Sequence, residues 1–287
     1  MVTNHKREME SYTYIIDGRE HKVNINKPNE FSFGKKKILS QKDTDISFDQ
    51  EWYSKGYKVY SCFDIEELSE LRHGVSNCVK NIISSELGIF KKDFELIKYH
   101  ELIRNENNHQ KIIRKTSKLF FNDFDIILSS ILLKFENILG FKLTNINPRN
   151  RNKHHIIIRI NRPLSSDYNP PHKDIYGGID NEQYIPKYIN FWIPIYGVTT
   201  KSSLPIVPSS HLISEDKILR TKCPGSIDGK TYHVRSIKSW NNCNKLQRVK
   251  ITEGEILIFS SHLIHGLAIN EETDQTRIAL EFRLYKS

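Results

Sequence analysis

Two textures divide this sequence and together predict an α+β protein with a mainly β core. From about residue 150 onward, short runs rich in Ile, Val, Phe and Trp are punctuated by Pro, Gly, Asn and Asp, which is how strands and turns are written. Before that point apolar residues recur at helical spacing over long stretches. The third observation is size, since 287 residues can bury one large core. We expect a single domain over 1–287, with 1–50 an accessory hairpin and loop, 51–149 mainly helical support, and 150–287 the β core.

Residues 11–25 read as two short strands around Asp17-Gly18, a dipeptide suited to a tight hairpin turn. Residues 27–50 are polar, with Lys35-Lys36-Lys37, and read as a solvated loop without visible chemistry. Gly56 to Tyr60 is a short strand. Asp64 then caps a helix and Glu67 reaches back to it, while Leu68, Leu71, Val75, Cys78, Val79 and Ile82 form its apolar face. Between Phe90 and Gly140 the clearest stripe is Phe124, Ile127, Leu128, Ile131, Leu132, Phe135 and Ile138, closed by Gly140 and suited to packing on a sheet. The stretch from His155 to Arg162 is a strand ended by Pro163. Its alternation puts Arg159 and Asn161 on one face, looking either into a pocket or into water. The segment from Ile213 to Lys245 reads as an inserted polar loop.

Composition narrows the function classes. With 38% hydrophobic and 10% aromatic residues the chain suits a soluble globular protein, and no apolar run approaches the ~20 residues a membrane span needs. Met1 to Glu8 lacks the apolar stretch of a secretory signal, so we expect a cytoplasmic protein. Cys62, Cys78, Cys223 and Cys243 lie far apart without a Cys-x-x-Cys, and free thiols are expected. The net charge of +9 comes from scattered Lys and Arg without a zinc-finger, RNA-recognition or helix-turn-helix signature. We therefore expect a small-molecule substrate rather than nucleic acid or a membrane.

The chemistry gathers at Pro170-Pro171-His172-Lys173-Asp174. In an extended segment residues two apart point the same way, so His172 and Asp174 can reach one metal while Lys173 turns aside. A distant histidine completes a two-histidine, one-carboxylate face, the ligand set of ferrous iron with coordination positions left open. His262 and His265 compete for that third place and, three residues apart, face opposite sides of a strand. Arg277 follows His265 by 12 residues, enough for a strand, a turn through Asn270 to Asp274 and a return, so both can reach one pocket. An arginine there suits a carboxylate, because its planar fork matches two oxygens. Arg283 is the rival on the same strand face, with Glu281 as its expected ion-pair partner.

The order of segments adds a resemblance. His172-Lys173-Asp174 is followed by Ile189-Asn190-Phe191-Trp192-Ile193-Pro194-Ile195, by Pro208-Ser209-Ser210-His211, by Gly254-Glu255-Ile256-Leu257-Ile258-Phe259 running into His265-Gly266, and by Arg277-Ile278-Ala279-Leu280. This succession resembles the phytanoyl-CoA dioxygenase-like family of Fe(II)/2-oxoglutarate-dependent oxygenases, closely over 150–287 and loosely, through Glu51 to Arg72, before that. The resemblance implies a double-stranded β-helix, a cupin-like jelly roll, buttressed by the N-terminal helices. It implies His172, Asp174 and His265 as the ligands of Fe(II), with His265 preferred because Gly266 follows it. It makes Arg277 the residue for the far carboxylate of 2-oxoglutarate and places Trp192, Asn190 and Arg159 around the co-substrate, with O2 as the second co-substrate. His211 sits in a Pro-Ser-Ser-His where the family usually has Pro-Gly-Ser-His, and reads as loop structure near the site mouth. Halogenating relatives have a small residue in place of the carboxylate, so Asp174 argues for hydroxylation.

The expected activity is hydroxylation of a small polar molecule, such as a sugar, aminocyclitol, nucleoside or amino-acid derivative. The entrance is expected around Tyr176 to Tyr188 and Ile213 to Lys245. The alternatives are a jelly roll that binds a ligand or polyanion without catalysis, and a zinc-dependent hydrolase on a similar barrel.

Overall fold

Alternation along three long strands organises the molecule. A computed structural model describes residues 9–26, 30–91, 93–125, 128–176, 185–222, 226–227, 230–232 and 234–287. Ile127, Cys223, most of the entrance expected at Tyr176 to Tyr188, and the stretch from Met1 to Glu8 lie outside the described residues. The strands are β1 (Met9–Ile16), β2 (Arg19–Asn26), β3 (Phe31–Phe33), β4 (Tyr57–Ser61), β5 (Leu143–Thr144), β6 (Ile157–Asn161), β7 (Tyr188–Tyr196), β8 (Pro205–Ile206), β9 (Ile218–Thr221), β10 (Ser226–Ile227), β11 (Lys230–Thr231), β12 (Ile237–Trp240), β13 (Lys245–Arg248), β14 (Glu255–Ser260) and β15 (Arg277–Lys286). The helices are α1 (Ile65–Leu87), α2 (Tyr99–Leu102), α3 (Glu106–Thr116) and α4 (Leu128–Leu139). All four fall in the segment expected to be helical.

One of two six-stranded sheets runs β4-β14-β7-β15, with β5 and β6 both on the far edge of β15, and every pairing in it is antiparallel. Successive side chains take opposite faces. Ile189, Phe191, Ile193 and Ile195 of β7, Ile256 and Ile258 of β14, and Ile278, Leu280, Phe282 and Leu284 of β15 face the helices and share one core with them. There the Phe135 ring of α4 stacks on Phe191 at 4.1 Å between centroids. Trp192, Leu257, Phe259 and Ala279 face the other way, into a second core with Leu204 and Ile206. Because both faces are covered, β7 is buried along nearly its whole length. Pro194, with no N–H to give a ladder, sits where the β7–β15 register shifts between Ile278 and Ala279.

Helix ends follow the expected chemistry. Asp64 accepts from the Glu67 amide at 2.9 Å while Glu67 accepts from the Asp64 amide at 3.0 Å, a reciprocal cap on α1. Gly88 and Gly140 end α1 and α4 at positive φ. The apolar face of α1 buries Ile83 rather than Ile82, which is half-buried. No helix among the described residues is long and apolar enough to cross a membrane, and Cys62, Cys78 and Cys243 are free thiols.

Three expectations change. The hairpin around Asp17-Gly18 forms, but it is no accessory. β1 pairs in parallel with β13, and Tyr12, Tyr14, Ile16 and Val23 are buried in a third core with Ile218, Ile237, Trp240 and Leu246. The polar stretch 27–50 contains β3, which pairs with β9, and buries Ser40, Asp45 and Ser47. The segment from Ile213 to Lys245 is likewise not a loop. It supplies β9 to β12 and the start of β13, completing a sheet β11-β10-β2-β1-β13-β8 and a smaller one, β12-β9-β3.

Candidate functional site

Main-chain pairing brings the two halves of the site together. His172 and His265 face each other across an antiparallel bridge, their amides donating reciprocally to each other's carbonyls at 2.9 and 3.0 Å. His265 also bridges to Ile206 of β8. Gly266 makes the approach possible: at φ +125°, a Cβ there would lie 2.4 Å from the Pro170 carbonyl oxygen.

Side-chain geometry then converges on one point. The His172 ring donates through Nδ1 to the Pro170 carbonyl at 2.7 Å, and His265 donates through Nδ1 to the Leu263 carbonyl at 3.0 Å. A carbonyl can only accept, so each ring carries a proton on Nδ1, and in the neutral tautomer that this fixes the lone pair is on Nε2. They face Asp174, at 3.4 Å from His172 to Oδ1 and 3.7 Å from His265 to Oδ2. One ligand atom from each residue lies within 4.8 Å of the others, and all three residues are buried. Burial, reinforced by His172, pushes His265 down to about 4, so its imidazole is neutral near pH 7. Burial would raise the Asp174 carboxyl, but Arg283 together with His265 and His172 holds it well below the usual carboxylate range. Two imidazoles and a carboxylate, poised around one point, fit a divalent first-row metal.

Asp174 is gripped from both sides. Asn190 donates to Oδ2 at 2.8 Å and Arg283 to Oδ1 at 3.0 Å, from positions that pair across β7 and β15. Arg283 therefore meets Asp174 and not Glu281, which pairs with Arg159 at 2.9 Å. Lys173 turns away as alternation requires, into a fully buried ion pair with Glu215 at 2.8 Å. Glu215 also takes Tyr176 Oη at 2.7 Å and Arg220 Nη1 at 2.9 Å, which anchors the ligand loop from behind.

Arg277 is the unusual group. It is 2% exposed, no carboxylate among the described residues is bonded to it, and its Nε and Nη1 have no partner there. Nη2 bonds the Asn161 side-chain oxygen, and the guanidinium lies 5.8 Å from the Trp192 ring. Burial, opposed by Glu281, pushes it down to about 9, the signature of a cation stripped of water without a counter-ion. Arg277 lines a cavity of about 180 Å³ together with the three cluster residues, Arg159, Asn161, Asn190 and Arg283.

The sequence-derived residues thus separate. His172, Asp174, His265 and Arg277 come together. Arg159 and Asn161 look into the pocket, with Arg159 engaged by Glu281. Asn190 lines the cavity, its side-chain nitrogen donating to Asp174 while its oxygen has no partner among the described residues. Trp192 packs in the core beside Arg277, and its Nε1 has no partner among the described residues. His262 belongs elsewhere, its Nε2 on the Thr44 carbonyl at 3.0 Å and its charge environment set by burial and Asp45. His211 is buried edge-on against Tyr53. Ser209 before it takes φ +60°, the conformation glycine adopts freely, which accounts for Gly in the resembled motif. The sequence did not reveal that Asn161 touches Arg277 or that Glu215 waits for Lys173. Each contact joins residues more than 40 positions apart.

No protein-family model and no curated protein matches the chain. Among solved structures it is similar to EctD from S. alaskensis with 2-oxoglutarate and 5-hydroxyectoine, at 11% identity and a TM-score of 0.46, covering 92% of this chain and 86% of that one. It is similar to AviO1 from Streptomyces viridochromogenes Tue57, at 12% identity and a TM-score of 0.44, covering 86% and 96%. The non-heme alpha ketoglutarate dependent epimerase SnoN from nogalamycin biosynthesis follows at 12% identity and a TM-score of 0.41, covering 82% and 80%. The functional reading therefore stands on the residues of the site.

Proposed function

We propose that this chain is an Fe(II)/2-oxoglutarate-dependent oxygenase of the phytanoyl-CoA dioxygenase-like branch, built on a double-stranded β-helix, that hydroxylates a small polar molecule in the cytoplasm. The observation that carries the reading is a buried cluster of two imidazoles and a carboxylate sharing one cavity with a buried arginine that has no counter-ion among the described residues. His172, Asp174 and His265 would hold the iron, and Arg277 would take the far carboxylate of 2-oxoglutarate. When bound, iron and 2-oxoglutarate supply the oxidation: O2 is split between a substrate C–H, which becomes C–OH, and 2-oxoglutarate, which leaves as succinate and CO2.

The chain's own part is placement. The backbone carbonyls of Pro170 and Leu263 fix both imidazole tautomers, so Nε2 of each ring is the atom turned to the metal. Asn190 and Arg283 hold the Asp174 carboxylate in one orientation. Phe259, edge-on to His265 at 4.9 Å, and Ala268 close the wall with apolar surface that excludes water.

The test is anaerobic loading with Fe(II) and 2-oxoglutarate, followed by O2 and detection of succinate. His172→Ala, Asp174→Ala and His265→Ala each abolish iron binding or turnover with the fold intact, whereas His262→Ala does not. Zinc-dependent hydrolysis without succinate, or ligand binding without any metal, replaces this reading.

A further inference from the structure

Asn161 closes β6 directly opposite Arg277 of β15 in the strand register. It is 5% exposed. Its side-chain nitrogen donates to the carbonyl of Asp167 and, at 3.3 Å, to that of Ala268. Both acceptors are main-chain oxygens, so the amide cannot be turned over, and Oδ1 is left facing Nη2 of Arg277. The frame behind it is rigid in turn. The Asp167 carboxylate accepts from Arg162 Nε at 2.8 Å and Nη2 at 2.9 Å, and His109 Nε2 lies 3.3 Å from it. Asn270 donates to the Asn161 carbonyl at 3.0 Å.

Resting on the oxygenase reading above, we propose that Asn161 is the positioning residue that aims Arg277 at the far carboxylate of the co-substrate. Its neutrality is the point. An arginine can be held by a carboxylate or by an amide oxygen, and a carboxylate would fix the same geometry while cancelling the charge the ligand needs. The amide fixes one end of the guanidinium and leaves the full positive charge, with Nε and Nη1 unpartnered, for an incoming anion. Arg159, which shares a strand face with Asn161, shows the other arrangement: its guanidinium is paired with Glu281 and so is already neutralised.

The experiment titrates 2-oxoglutarate calorimetrically into the full-length protein loaded with Co(II), which binds without turnover, and measures Co(II) affinity separately. In Asn161→Ala, loss of a charge-assisted hydrogen bond weakens 2-oxoglutarate binding about tenfold. Asn161→Asp weakens it by a larger factor, because the new carboxylate competes for the same cation. In an Arg277→Met background Asn161→Asp produces no further loss, and Co(II) affinity stays unchanged throughout. Asn161→Ser keeps a small polar group and takes the place of the aspartate variant if that one does not fold. Wild-type-like 2-oxoglutarate affinity in Asn161→Asp or Asn161→Ser overturns the positioning role and leaves the oxygenase reading in place. A wild-type protein that binds Co(II) but not 2-oxoglutarate overturns the oxygenase reading itself.

Discussion

Replacing Gly266 by alanine adds one methyl group, yet the site geometry makes it a metal-affinity mutation. The new Cβ would stand 2.4 Å from the Pro170 carbonyl oxygen and 3.2 Å from His172 Nδ1. Ordinary contact begins near 3.4 Å, so the carbonyl must retreat by about 1 Å. That carbonyl is the one His172 donates to at 2.7 Å, so the retreat breaks the bond that fixes its ring. Loss of such an outer hydrogen bond typically weakens metal binding about 10–100-fold. The backbone at φ +125° adds about 1–3 kcal/mol of strain to the fold. Gly88→Ala separates the two effects, since φ is +67° there and nothing lies within 4 Å of the added methyl. It should cost about 1 kcal/mol and leave the metal alone. Calorimetric Co(II) titrations and urea unfolding of both variants read the difference. If Gly266→Ala binds Co(II) as tightly as Gly88→Ala does, the Pro170 carbonyl does not govern His172 and the reasoning fails.

Arg277→Ala removes the buried cation from its end of the cavity, and one-sided loss of such a pair typically costs about 3–5 kcal/mol. The Michaelis constant for 2-oxoglutarate should therefore rise a hundredfold or more while iron affinity holds, with Arg277→Lys recovering part; Arg283→Ala should instead weaken the metal through Asp174, and a larger rise in that constant at Arg283 would reverse the two roles. Glu215→Gln leaves Lys173 and Arg220 as buried cations without a counter-charge and should destabilise the fold by about 3–5 kcal/mol in urea unfolding, whereas a loss under about 1 kcal/mol would mean water already reaches Lys173. Burial and Arg283 push His154 down to about 4, so the folded protein refuses a proton that the unfolded chain accepts near its ordinary ~6.5. Stability of the metal-free protein should then fall as pH drops from about 6.5 towards 4; His154→Gln should make that slope shallower, with His265 and His211, also pushed down to about 4, keeping the rest, and an unaltered slope would assign it wholly to other groups.

What could be read in advance was local or periodic. Alternation placed His172 and Asp174 on one side and Lys173 on the other, the Asp64–Glu67 cap was visible in four letters, and Asp17-Gly18 announced its hairpin. What could not be read was partnership over distance. Two arginines, one on β6 and one on β15, could equally meet Glu281, and only the register of β15 against β7 and β6 gives Arg283 to Asp174 and Glu281 to Arg159. Likewise 213–245 has too few apolar residues to announce strands, because β9, β12 and β13 each bury one face against a hairpin that lies some 200 positions earlier. Asp45 read as part of a solvated loop because Ser260, which buries it together with the nearby Ser40 and Ser47, is equally remote.

The parallel seam between β1 and β13 also imposes an order of events on folding. A hairpin can close within microseconds of its own turn being formed, but here Ile15 must wait for Lys245, 230 residues on, before its outer edge is covered. Until then the strand offers an open row of amides and carbonyls flanked by Tyr12, Tyr14 and Ile16, the kind of edge to which another copy can add itself. During synthesis at roughly 5–20 residues per second, that edge stays exposed for about ten seconds or longer. A crowded, slow-folding preparation should accordingly lose material through this hairpin first, and charge placed on its outward edge should raise the yield of folded protein without touching the site.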